Sequence, residues 1–227
     1  MAITHEAVAG HNETNPTTSL TVTIPAATQT DDILILTVAN GGATANPSIT
    51  DNDTGGNAWT LLKSHNNGTS NLSIWWKRAT SGTASKTITA SGLTNACAGS
   101  CSVYRSCKVS GTPHENATSE TNALLDSSHA AITPSLNNSM VCFSSGGIGS
   151  VSVTGEDCDD PTTLTQRDNR NSTSGNGANI THASNAQTTA GSTGNFTWVY
   201  IGVNDVLTTV FDLLEEEESS SSSSSSG

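Results

Sequence analysis

Cationic side chains are scarce in this chain: eight Lys and Arg stand against twenty Asp and Glu, for a formal net charge of −12. The eight are Lys63, Lys77, Arg78, Lys86, Arg105, Lys108, Arg167 and Arg170, scattered along the sequence. A phosphate backbone is held by a clustered cationic surface, which so few basic residues cannot assemble, so nucleic acid is excluded as a partner. Long hydrophobic runs are missing too. The longest, around Ile33 to Leu36 and Trp198 to Val203, have strand length and fall far short of the roughly 18–20 apolar residues of a membrane helix, so no membrane insertion is expected. The N-terminal stretch has neither a basic region nor a continuous apolar run and does not read as a secretory signal. Aromatic residues make up 4% and charged residues 12% of the chain, and Ser, Thr, Asn and Gly fill much of the rest. Thr and Val suit strands, whereas Asn, Gly and Ser suit turns and weaken helices, so the composition specifies an all-β fold of many short strands.

The five cysteines are odd in number, which rules out complete pairing within one chain. Cys97 and Cys101 are four positions apart in a small-residue strand, so both point to one face. Their Cα atoms would be about 13 Å apart along a strand, too far for a disulfide. They read as small core residues. Cys107, Cys142, Cys158 and the six His show no zinc-type spacing.

Alternation and turn residues place strands near Ile3–Val8, Ser19–Ile24, Ile33–Ala39, Trp59–Ser64, Leu72–Arg78, Lys86–Ala90 and Ala96–Arg105. Leu20, Val22 and Ile24 alternate with Thr21 and Thr23, the pattern of a half-buried strand. The segment from Asp31 to Asn40 is apolar at nearly every position after its two Asp, which expects a central strand covered on both faces or at a subunit contact. A similar order recurs about 105 to 110 positions later: His129–Ser135, Met140–Ser145, Ser150–Val153, Leu164–Arg167, Ala178–Ala183, Asn195–Val203 and Val206–Leu213. The recurrence indicates a duplicated topology over residues 1–214, with halves of about 1–110 and 111–214, closing into a two-sheet antiparallel jelly-roll sandwich. Two separate small sandwiches are the alternative. Residues 111–127 are polar enough to form one long connection, and residues 215–227, four Glu followed by eight Ser and a Gly, should form a flexible tail.

Two acidic loops fall at corresponding places, one running from Thr50 to Asn57 and the other from Glu156 to Asp160. Asp51, Asp53 and Asn57, with a glycine bend between them, are candidate calcium ligands, since that cation takes six to eight oxygens. Against this stand the lack of a further acidic position and the competing role of Asp and Asn in stabilising turns. No other cofactor is expected. Glu115 and Glu120 do not form a recognisable catalytic pair, no GxSxG is present, and Ser144-Ser145-Gly146-Gly147 reads as a loop, so the chain is not expected to be an enzyme. Trp75 and Trp76 are adjacent in a strand and must face opposite sides, so alternation lets at most one be fully internal. The other is a candidate sugar platform or an anchor for an oligomer contact. Trp59 and Trp198 read as core.

The order DDILIL (31–36), a glycine-containing loop into WTLL (59–62), the strand IWWKRATSGTASKTIT (74–89) and a small-residue strand ending VYR (103–105) resembles jelly-roll modules of phage virion proteins and some bacterial surface proteins. The resemblance covers roughly residues 17 to 205. It implies a non-enzymatic virion surface protein, a capsid decoration, fibre or tail-associated component in contact with capsid or tail proteins. With only 12% of residues charged, a hydroxyl-rich exterior is expected, which agrees with such a role, and a symmetric oligomer of copies of itself, a trimer, is expected. The competing reading is an extracellular carbohydrate-binding receptor or adhesion module that uses Trp75 or Trp76 on surface glycans. The chain departs from the resemblance in its cysteine-containing strand and its Glu–Ser tail.

Overall fold

The computed structural model describes residues 1–13, 17–42, 45–122, 128–148, 152–171, 177–201 and 206–216. Among them are sixteen β-strands and no helix, and none of the described segments is a helix long and apolar enough to cross a membrane. The first eight strands are β1 (Thr4–Glu13), β2 (Ser19–Thr23), β3 (Ile33–Gly41), β4 (Ser48–Asp51), β5 (Thr60–Asn66), β6 (Ser70–Arg78), β7 (Thr87–Ser91) and β8 (Cys97–Arg105). The second eight are β9 (Ala117–Asn122), β10 (Ser128–His129), β11 (Ser139–Ile148), β12 (Ser152–Asp157), β13 (Thr165–Asn171), β14 (Ala178–Gln187), β15 (Phe196–Ile201) and β16 (Val206–Leu213). Every pairing is antiparallel.

The strands form four sheets instead of the expected two. The first half contributes β1-β8-β3-β6-β5 and β2-β7-β4, and the second β9-β16-β11-β14-β13 and β10-β15-β12. Adding eight to each label of the first half gives the strand order of the second. Equivalent strands begin between 104 residues apart (Ser48 and Ser152) and 113 residues apart (Thr4 and Ala117).

The sheets stack as four layers, of three, five, five and three strands, with an apolar layer at each junction. β3 shows why. Its even positions Leu34, Leu36 and Val38 pack with Leu20, Val22, Ile88, Cys97, Cys101 and Val103 against the first three-stranded sheet. Its odd positions Ile33, Ile35 and Ala39 pack with Leu72, Ile74, Met140, Cys142, Ile180 and Phe211 between the two five-stranded sheets. All nine β3 residues are buried, so the near-continuous apolar run read from the sequence is a strand covered on both faces. A sheet apolar on both faces needs a layer on each side, which a two-sheet sandwich does not provide. In the second half Val141, Phe143, Ala183, Val206 and Val210 pack with Phe196 and Trp198 of β15 to form the third layer.

The contacts across the middle layer are symmetric. β1 lies against β13 and β5 against β9; β8 lies against β14 and β6 against β16; β3 lies against β11. The eight-strand shift carries the β1–β13 pair onto β9–β5 and the β8–β14 pair onto β16–β6, and it exchanges β3 with β11, the pattern of an isologous two-fold interface formed inside one chain.

Some local expectations are corrected. The strand expected over residues 129–135 is only the short β10, and Ser144 to Gly147 lie within β11, buried, instead of in a loop. Residues 117–122 of the expected long connection form edge strand β9, paired with β16. Glu215 and Glu216 belong to the body: Glu215 binds the Met1 amino group at 2.6 Å and Asn138 Nδ2 at 2.9 Å, and Glu216 accepts from the Val109 amide. The rest of the expected tail, residues 217–227, lies outside the described residues.

Candidate functional site

Asp51, Asp53 and Asn57 come from the end of β4 and the loop that follows, and two of the three meet at one point. Position 77 faces the three-stranded sheet because β6 alternates: Leu72, Ile74 and Trp76 turn to the middle layer, and Trp75 to the other face. Lys77 therefore enters the layer beneath the β4–β5 loop, where it has no solvent exposure. Its Nζ donates to Asp51 Oδ2 at 2.7 Å and to Asp53 Oδ2 at 3.1 Å, and the two carboxylates are only 7% and 4% exposed. Trp59 Nε1 donates to Asp51 Oδ2 at 2.8 Å, the Asp53 amide to Asp51 Oδ1 at 3.0 Å, and the Thr83 hydroxyl to Asp53 Oδ2 at 2.6 Å. The Thr83 hydrogen bond, followed by the Lys77 ammonium, holds the Asp53 carboxyl below its usual range against the opposing effect of burial. Gly56 closes the cluster: a Cβ there would run into Asp53 Oδ2 and lie 2.7 Å from Lys77 Nζ.

The oxygens proposed for calcium thus surround a cation that the chain itself supplies. Asn57 is not among them; its Nδ2 donates to the Arg78 carbonyl at 3.1 Å. Among the described residues no group of three or more His, Cys, Asp or Glu is arranged to hold a metal. The equivalent connection of the second half, β12 to β13, carries no such cation. There Glu156 is buried with Gln166 Nε2 at 3.3 Å from Oε1, and burial raises its carboxyl above the ordinary value.

Trp75 and Trp76 face opposite layers, as alternation requires, and both are half-buried. Trp75 packs on the outer layer. Trp76 packs on the middle layer and lines a cleft of about 360 Å³ together with Asn57, Ala58, Thr60 and Arg78. Thr60 is opposite Trp76 in the β5–β6 register. The Arg78 guanidinium spans toward the chain beyond β8, donating to the Lys108 carbonyl at 2.7 Å. The cleft thus brings an indole together with a side-chain amide, a hydroxyl and a guanidinium. Of the two candidates, Trp76 lines this cleft.

A second buried polar group links the two halves. Tyr104 Oη and His182 Nε2 are 2.7 Å apart, and Ser144 Oγ and His182 Nδ1 are 2.8 Å apart. Burial pushes His182 down to about 3 and raises the Tyr104 phenol well above its usual value. A neutral imidazole in a sealed layer, with both nitrogens engaged, serves to register β8 and β11 on β14. All five cysteines are free and buried, and burial raises each thiol.

Lys77 and Thr83 were not expected as partners of the acidic loop. Lys77 was visible in principle: in a strand reading SNLSIWWK it shares an inward face with Ser73 and Trp75. No family model matches this sequence, and neither the curated proteins nor the solved structures contain a match to it.

Proposed function

We propose that this chain is a non-enzymatic structural protein of a virion surface, built as a duplicated jelly roll and assembled from copies of itself. The observation that carries the reading is the strand order. Within each half, strands one, eight, three and six run side by side and face strands two, seven and four; strand five extends the larger sheet. That order is the one a jelly roll with its fifth strand moved across would have, an architecture used by capsid and lectin domains, and it supports the reading. The exposed surface suits the role. The outward face of the first three-stranded sheet carries only hydroxyls, in the rows Ser19-Ser91-Ser48, Thr21-Thr89-Thr50 and Thr23-Thr87. Of the described large apolar side chains only Met1, Leu61, Val109 and Val199 are broadly exposed, so copies associate through polar faces instead of one apolar patch. Sedimentation of the purified chain across a wide concentration range should show a closed oligomer, with a trimer expected; a monomer at every concentration would count against self-assembly.

The Trp76 cleft favours a second reading, a carbohydrate-binding module. Glycan-array binding that disappears in Trp76→Ala and survives in Trp75→Ala would establish it, and an array without signal would remove it.

A further inference from the structure

We infer that Lys77 and Asp51 form an intramolecular amide cross-link, with Asp53 as the group that carries the proton. The three side chains are in contact and almost completely sealed from water, under Trp59 and behind Gly56. An ammonium and a carboxylate in such a place lack the hydration that favours the ion pair over its neutral condensation product. The fold also supplies a persistent contact between amine and acid, which replaces a bimolecular encounter.

The two carboxylates have different surroundings, and these assign their roles. Asp51 receives the Asp53 amide on Oδ1 and the Trp59 indole on Oδ2, donors that stabilise negative charge developing on its carboxyl oxygens during attack. Asp53 is held by the Thr83 hydroxyl and contacts the amine through the same oxygen, the position of a base.

The reaction is a condensation. The Lys77 ammonium passes a proton to the carboxylates, and the neutral amine attacks Cγ of Asp51. A C–N bond forms and one C–O bond breaks. Of the three ammonium protons one remains on the amide nitrogen; the other two, relayed by Asp53, leave with the expelled oxygen as water. Charge cancels between the partners and no oxidant or reductant is involved. The product joins β4, in the three-stranded sheet, to β6, in the five-stranded sheet, and so covalently staples two layers of the first half. The second half has no lysine in its sequence beyond Lys108 and cannot repeat the bond.

The test is the intact mass of the full-length chain, measured after unfolding, with the proteolytic digest sequenced by fragmentation. The expected mass is lower than that of the unmodified sequence by one water, with a branched peptide joining Lys77 to Asp51. Lys77→Met should show the full mass of its own sequence, with no water lost. Asp53→Asn should leave the chain folded, by circular dichroism, yet without the cross-link. An uncross-linked wild-type chain whose Lys77 amine is labelled after unfolding overturns the proposal. A bond mapped to Asp53 overturns the assignment of roles, and a cross-link that persists in Asp53→Asn overturns the part given to Asp53.

Discussion

The hydroxyl oxygens of Thr37 and Ser144 are 3.4 Å apart across the middle layer, and the two residues stand 107 positions apart in the sequence. Ala39 and Gly146 have the same spacing and also face each other, since a Cβ built on Gly146 would lie 2.9 Å from the Ala39 Cβ. Equal spacing across β3 and β11, which exchange under the eight-strand shift, is what a two-fold contact with its axis along those strands produces. The two halves are joined as the subunits of a symmetric dimer would be, which is the relationship that the proposed duplication would produce.

A shared middle layer makes the halves cooperative. Phe211, fully buried there, packs with residues of both halves. Phe211→Ala should cost about 3–5 kcal/mol, and denaturant unfolding should remain one transition by every probe. Separate unfolding of the halves would show that the middle layer does not couple them.

Gly146 sits where the five-stranded sheets come closest. An added Cβ would meet Ala39 Cβ at 2.9 Å, Leu72 Cδ1 at 3.0 Å and the Asn179 carbonyl at 3.2 Å. Gly146→Ala should therefore destabilise by about 1–3 kcal/mol through overpacking. Exchanging the pair, with Ala39→Gly added, should recover part of that loss. A double-mutant cycle that gives strict additivity would contradict the contact.

Burial holds His182 at about 3 and His5 at about 4, both below the ordinary 6.5. Between the folded and unfolded values the unfolded chain binds protons that the folded chain refuses. The stability present above about pH 6.5 is therefore lost progressively as pH falls toward 3, by a few kcal/mol for His182. Asp212 and Glu156, whose carboxyls burial raises, act in the opposite sense: their folded forms bind protons more readily as pH falls. Comparison with His182→Asn isolates the histidine. The variant should be less stable at neutral pH but should lose less on going from pH 6.5 to 4. Equal slopes in the two proteins would exclude His182 as the source.

Each thiol is buried, and burial pushes Cys97 and Cys158 up to about 12 and the other three higher. Only the thiolate reacts readily, so a thiol reagent at pH 8 should label none of the five in the folded protein and all five after unfolding. Rapid labelling of the native chain would show that the layers open.

Much of this architecture was legible in the residues. Leu20, Val22 and Ile24 alternate as a half-buried strand should, the apolar run after Asp32 is a central strand, and Cys97 and Cys101 share one face. Strand β4 escaped because Ser48-Ile49-Thr50-Asp51 offers one large apolar residue, too little for a period, and β9 because Ala117 to Asn122 offers none beyond alanine. Their strand character comes from pairing with β7 and β16. The layering was hidden for a related reason: an apolar run reveals that a strand is covered on both faces, but not that the second cover is the chain's own other half. The acidic loop was found, but its partner was not. Asp51 and Asp53 resemble cation ligands in sequence, and the cation turned out to be an inward-facing lysine 26 positions beyond Asp51 in the sequence.

The central claim, a structural role on a particle surface, is tested most directly by immunogold electron microscopy of virus particles whose genome encodes this chain, using antibody raised against the purified chain. The account predicts gold on the exterior of intact particles at regularly repeated positions. Bare particles, with the antigen found only free in the surrounding lysate, would contradict it.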